Sequence, residues 1–70
     1  MTKYEIRGIK ARTDFSYVIK NINEEIGRER VRLRYDREKG VLVFSIKAKL
    51  NPFELNSKLT ERGLELKILE

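Results

Sequence analysis

The apolar residues of this sequence keep switching between two periods, and the order of the switches limits the folds open to it. Tyr4 and Ile6 alternate with Lys3, Glu5 and Arg7, which predicts a strand over 3–9. Past the short loop Lys10 to Thr13 the period lengthens. Phe15, Val18, Ile19, Ile22 and Ile26 keep the i, i+3, i+4, i+7, i+11 spacing of one helix face. Thr13 or Asp14 is placed to cap that helix by accepting a free backbone N–H, and Gly27 stands where a left-handed residue would end it.

Period two then returns over 29–36, where Val31, Leu33 and Tyr35 point one way and Arg30, Arg32 and Arg34 the other. Asp36-Arg37-Glu38-Lys39-Gly40 is polar and ends in glycine, as a hairpin loop does. The return strand over 41–49 puts Leu42, Phe44, Ile46 and Ala48 on one face, and Val41, Val43, Ser45 and Lys47 on the other. A second helix follows with clear start signals. Asn51 is the cap, Pro52 the first helical residue, Glu54 the return arm of a capping box, and Leu50 with Leu55 a hydrophobic staple. Leu55 and Leu59 form its inward stripe and Gly63 ends it. A last strand over Leu64 to about Leu69 turns Leu64, Leu66 and Ile68 inward.

The order β-α-β-β-α-β in one domain, 1–70, predicts an α+β fold of the split β-α-β, ferredoxin-like kind. Right-handed crossovers place both helices on one face of a four-stranded antiparallel sheet of order 4-1-3-2. The inward residues then form a single core under the helices, and the other sheet face stays open to solvent.

A chain of 70 residues buries a modest core. It has no cysteine and no histidine, so disulfides, thiolate metal sites and thiol or imidazole catalysis are excluded. No stretch approaches the roughly 18 apolar residues that span a bilayer. Charges at Lys3, Glu5 and Arg7 argue against a signal peptide, and the expected location is cytoplasmic. The net charge of +5 favours anionic partners.

The pattern resembles a heavy-metal-associated domain, the module of copper chaperones and metal-transporting P-type ATPases. Tyr4-Glu5-Ile6-Arg7-Gly8-Ile9 stands where that family has a strand ending in Gly-Met. The helix Phe15–Ile26, the strand Val31–Tyr35, Gly40, the helix Pro52 to Leu59 and Gly63-Leu64 keep the family spacing. The family's Cys-x-x-Cys loop is replaced by Lys10, Ala11, Arg12, Thr13 and Asp14, with two cations and no thiol. Soft thiolates select Cu(I), so the resemblance implies the family's fold without its metal. No cofactor is expected. Asp14, Glu24 and Glu25 are weak candidates for a hard cation, which wants several converging oxygens. The chain is then either free-standing or the N-terminal piece of a longer transport ATPase.

The residues expected on the open face are mainly cationic: Lys3, Arg7, Arg30, Arg32, Arg34, Lys47 and Lys67, with Glu5, Val41, Val43, Ser45 and Glu65 among them. The leading expectation is a non-catalytic module that serves protein–protein or regulatory contact. The alternative is weak nucleic-acid binding by the basic face. The RNA-recognition motif shares the element order, but its stacking aromatics are Val41 and Val43 here and Phe44 faces inward. Charged residues on an edge strand also deter aggregation, and Glu5 or Glu65 can neutralise part of the row. Val41 and Val43, or an edge strand, offer contact to a second copy. No enzymatic role is expected. Ser16, Ser45 and Ser57 have no base at a meaningful spacing, and the loop Lys10 to Thr13 lacks the glycines of an acylphosphatase phosphate cradle.

Overall fold

The computed structural model describes residues 2–27, 31–47 and 50–69. The elements are β1 (Thr2–Arg7), α1 (Arg12–Ile26), β2 (Arg32–Asp36), β3 (Val41–Ile46), α2 (Pro52–Thr60) and β4 (Glu65–Ile68). The strands form one antiparallel sheet ordered β2-β3-β1-β4, which is the expected 4-1-3-2 read from the other edge. The fold is α+β and ferredoxin-like. Arg30 of the basic row, Ala48 of the inward set and the outer ends of the strands expected over 29–36 and 41–49 lie outside the described residues.

One cluster makes the core. Tyr4 and Ile6 of β1, Leu42, Phe44 and Ile46 of β3, and Leu64 ahead of β4 meet Val18, Ile22 and Ile26 of α1 and Leu55 and Leu59 of α2. Their strand positions alternate, so the helices cover one sheet face only. Tyr4 and Phe44 stack across β1 and β3 with ring centroids 5.1 Å apart. Ile9 and Leu50 also belong to the core. Buried Asn21 is satisfied locally, its Nδ2 donating to the Tyr17 carbonyl at 2.8 Å.

The start of α1 corrects the sequence expectation. The helix begins at Arg12, and its N-cap is Ala11, whose side chain offers no acceptor. Asp14 does accept free backbone N–H groups, as expected, but from the third helical position, reaching back as the return arm of a capping box. Its Oδ2 accepts the N–H groups of Lys10 at 3.2 Å and Ala11 at 3.3 Å. A carboxylate there also suits the positive end of the helix dipole.

At α2 the expected cap is present. Asn51 Oδ1 accepts from the backbone of Phe53 and Glu54 at 3.1 and 3.2 Å. Leu50 and Leu55 are both buried, as a staple requires. The helix stops at Thr60, and a turn follows. Gly63 N–H donates to the Thr60 carbonyl and Leu64 N–H to the Leu59 carbonyl, each at 3.0 Å, with Gly63 at φ 74°. This double closure fits the Schellman ending of a helix.

The single core under the helices needs a second correction, at the sheet edges. Leu33 and Tyr35 lie opposite Phe44 and Leu42, hence on the helix side, yet they are 46% and 37% exposed. Ile68 is 52% exposed. α2 packs beside β4, whereas the helix-side residues Leu33 and Tyr35 of the opposite edge strand β2 are left exposed. No helix of the described residues is long and apolar enough to cross a membrane.

Candidate binding face

The open face reads as three rows across the sheet. One runs Arg34, Val43, Glu5, Lys67; the next Asp36, Val41, Arg7, Glu65; the third Arg32, Ser45, Lys3. Lys47 lies just past the end of β3 and is exposed. These registers bring Lys3, Arg7, Arg32, Arg34 and Lys67 onto one face, as the alternation predicted.

The charges on this face are not uniform. On the β1–β4 side, Arg7 Nε meets Glu5 Oε2 at 2.9 Å. Glu65 stands opposite Arg7, and Lys67 opposite Glu5. Within these two rows the β1 and β4 residues are two carboxylates and two cations and balance; Lys3, also of β1, lies in the third row. Arg7 and Lys67 therefore sit in compensated surroundings rather than in a continuous cationic field. On β2, Arg32 and Arg34 are exposed and form no ion pair among the described residues, and Asp36 at the end of the strand is the carboxylate on the same face. Arg32, Arg34, Lys3 and Lys47 thus form the cationic part.

Val41, Val43 and Ser45 of β3 run between these halves and are half-buried. A shallow concavity over this stripe is lined by Glu5, Arg7, Arg34, Asp36, Lys39, Val41 and Val43. Asp36 and Lys39 extend the face beyond the residues picked out from the sequence. Asp36 could have been found, because it continues the Arg32, Arg34 alternation. Lys39 could not, since it sits in the hairpin turn, where strand periodicity gives no direction. Phe44 is fully buried under the helices, so the half of an aromatic stacking pair that β3 might have supplied points away from this face.

The stretch Lys10 to Asp14 is spent on structure. Lys10 and Ala11 lead into α1, and Arg12, Thr13 and Asp14 form its first turn. Asp14 is engaged by two backbone N–H groups. Glu25 and Glu24 approach Lys58 Nζ at 3.5 and 3.9 Å, tying α1 to α2. Among the described residues no group of three carboxylates converges as a cation site would need.

A second apolar surface escaped the sequence reading. Phe15 of α1 packs on Tyr35 of β2, ring centroids 4.8 Å apart, and Ile19 lies one turn along, partly buried. Leu33, 46% exposed, lies two residues before Tyr35 on the same side of β2. The signal was present in Leu33 and Tyr35, but exposure of inward-facing residues depends on how far α1 reaches, which spacing does not encode. No protein-family model matches the chain, and no curated protein is detectably similar to it in sequence.

Proposed function

We propose that the chain is a non-catalytic binding module that holds an acidic protein partner against the β2 side of its open sheet face. Its scaffold resembles a heavy-metal-associated domain without the thiolate pair. The observation that carries this reading is the difference in ion pairing between β2 and β1. Arg32 and Arg34 project side by side with no carboxylate bound to them among the described residues, while Arg7 is matched by Glu5. Exposed guanidinium groups form bidentate pairs with carboxylates. The half-buried Val41 and Val43 beside them supply the apolar contact that an interface needs.

A nucleic-acid partner is the second reading, favoured by Lys3 and Lys47 extending the arginine pair along the sheet. It lacks support from aromatic stacking, the usual source of affinity for single strands. A fluorescence anisotropy titration separates the two, using labelled polyglutamate and a labelled mixed-sequence oligonucleotide at low and moderate salt. Binding of polyglutamate, weakened about tenfold or more by Arg32→Glu with Arg34→Glu, supports the module. Stronger binding of the oligonucleotide with a steep salt slope makes nucleic acid the partner. No binding of either overturns both.

A further inference from the structure

We infer that the outer edge of β2 is a strand-addition site for an extended segment in which acidic and apolar side chains alternate. The inference rests on the binding reading above and gives the partner a conformation and a docking line.

Backbone geometry identifies the free edge. Leu69 N–H donates to the Lys3 carbonyl at 2.9 Å, so Lys3 turns its backbone groups toward β4. Antiparallel partners alternate between hydrogen-bonded and non-hydrogen-bonded pairs. Glu5 and Arg7 therefore also face β4, and Tyr4 and Ile6 face β3. It follows that Phe44 and Leu42 face β1, that Val43 and Ser45 face Arg34 and Arg32, and that Leu33 and Tyr35 turn their N–H and C=O outward.

The two edges of the sheet are treated differently. By the same alternation Leu66 is the outward residue in the middle of β4, and its N–H is already taken by Asn56 Oδ1 of α2 at 3.3 Å. On β2, no hydrogen bond among the described residues occupies the outward groups of Leu33 or Tyr35. Such an edge is a template for another strand.

The side chains flanking that edge specify what would fit. On the helix side an added strand would meet Leu33 and Tyr35, both exposed apolar side chains, with Phe15 packed on Tyr35. On the open side it would meet Arg32 and Arg34. Since successive side chains of a strand point to opposite faces, the complement is apolar at every second position and acidic between. A second copy of β2 fits poorly. Antiparallel pairing centred on Leu33 sets Arg32 against Arg34 twice, and like charges directly opposite destabilise a sheet. A register centred on Arg34 pairs Arg32 with Asp36 but sets Arg34 directly against its own copy, and one centred on Tyr35 overlaps only Arg34 to Asp36 before the turn begins.

The test uses the isotope-labelled chain and a short synthetic peptide of alternating glutamate and valine. The control peptide has the same composition with its glutamates and valines in separate blocks. Strand addition slows hydrogen exchange of the Leu33 and Tyr35 amides by about tenfold or more with the alternating peptide only. Arg32→Glu with Arg34→Glu abolishes that protection. In antiparallel addition the valine amides of the peptide face β2, so N-methylating them abolishes protection, while N-methylating the glutamate amides does not. Equal effects of the two methylation patterns overturn the proposal. Shifts confined to Arg34, Val43 and Lys47, with Leu33 and Tyr35 exchange unchanged, overturn strand addition and leave the open-face reading standing. Silence with both peptides overturns both. Protection that rises with protein concentration alone assigns the edge to a second copy and overturns the proposal.

Discussion

The Asn56 carboxamide of α2 accepts the outward N–H of Leu66 in β4 at 3.3 Å, so one edge of the sheet is closed by the helix that packs beside it. The opposite edge, β2, has no such partner among the described residues. This asymmetry leaves one sheet edge protected and the other open, with Arg32 and Arg34 on the open strand.

If Asn56 closes that edge, removing its acceptor should show at one amide. Asn56→Leu should speed hydrogen exchange at Leu66 and lower stability by about 1 kcal/mol, the net worth of one hydrogen bond. Asn56→Asp keeps an acceptor and should keep Leu66 slow. Unchanged Leu66 exchange in Asn56→Leu would show that the carboxamide does not seal the strand.

Gly40 and Gly27 both have positive φ, 64° and 68°, but their surroundings differ. A Cβ on Gly40 would lie 2.2 Å from the Ile9 carbonyl oxygen, whereas one on Gly27 meets nothing within 4 Å. A non-glycine residue in this backbone region costs about 1–3 kcal/mol. Gly27→Ala should cost an amount in that range. Gly40→Ala should cost more, because β1 and the hairpin join there through the Ile9 N–H to Gly40 carbonyl bond at 3.0 Å. Equal losses in chemical denaturation would contradict the close approach.

Burial predicts a sharp contrast between two neighbours across one register pair. Phe44 is fully buried and Leu33, opposite it, is 46% exposed. Phe44→Ala should cost about 3–5 kcal/mol, a large part of the stability of so small a domain at roughly 0.05–0.15 kcal/mol per residue. Leu33→Ala should cost under about 1 kcal/mol. Calorimetry on the two variants measures the difference. A comparable loss at Leu33 would mean that β2 is covered more deeply than this sheet edge shows.

Much of this architecture was legible in the residues. The alternation of Tyr4 and Ile6, the helical spacing from Phe15 to Ile26, and Leu42, Phe44 and Ile46 together order the elements, because each pattern fits one period only. Asn51 and Pro52 mark the start of α2 because cap chemistry is local. The start of α1 was harder: Thr13 and Asp14 both have capping side chains, yet Asp14 acts from inside the first turn and Ala11 takes the cap position. The membership of the open face followed from strand periodicity, as Arg32 and Arg34 show. Its charge balance did not, since the pairing of Arg7 with Glu5 and the setting of Glu65 and Lys67 depend on the register of β1 with β4. The exposure of Leu33 and Tyr35 depends on the reach of α1 over the sheet, a tertiary quantity with no sequence period.

The most direct test of the binding account is a residue-resolved NMR titration of the chain with polyglutamate, repeated with a mixed-sequence oligonucleotide, at low and moderate salt. The account predicts salt-sensitive shifts at Arg32, Arg34, Val43 and Lys47 with polyglutamate, and smaller ones at Arg7 and Lys67, whose surroundings are already compensated. Shifts spread evenly over every exposed cation, or no shifts at all, would contradict it.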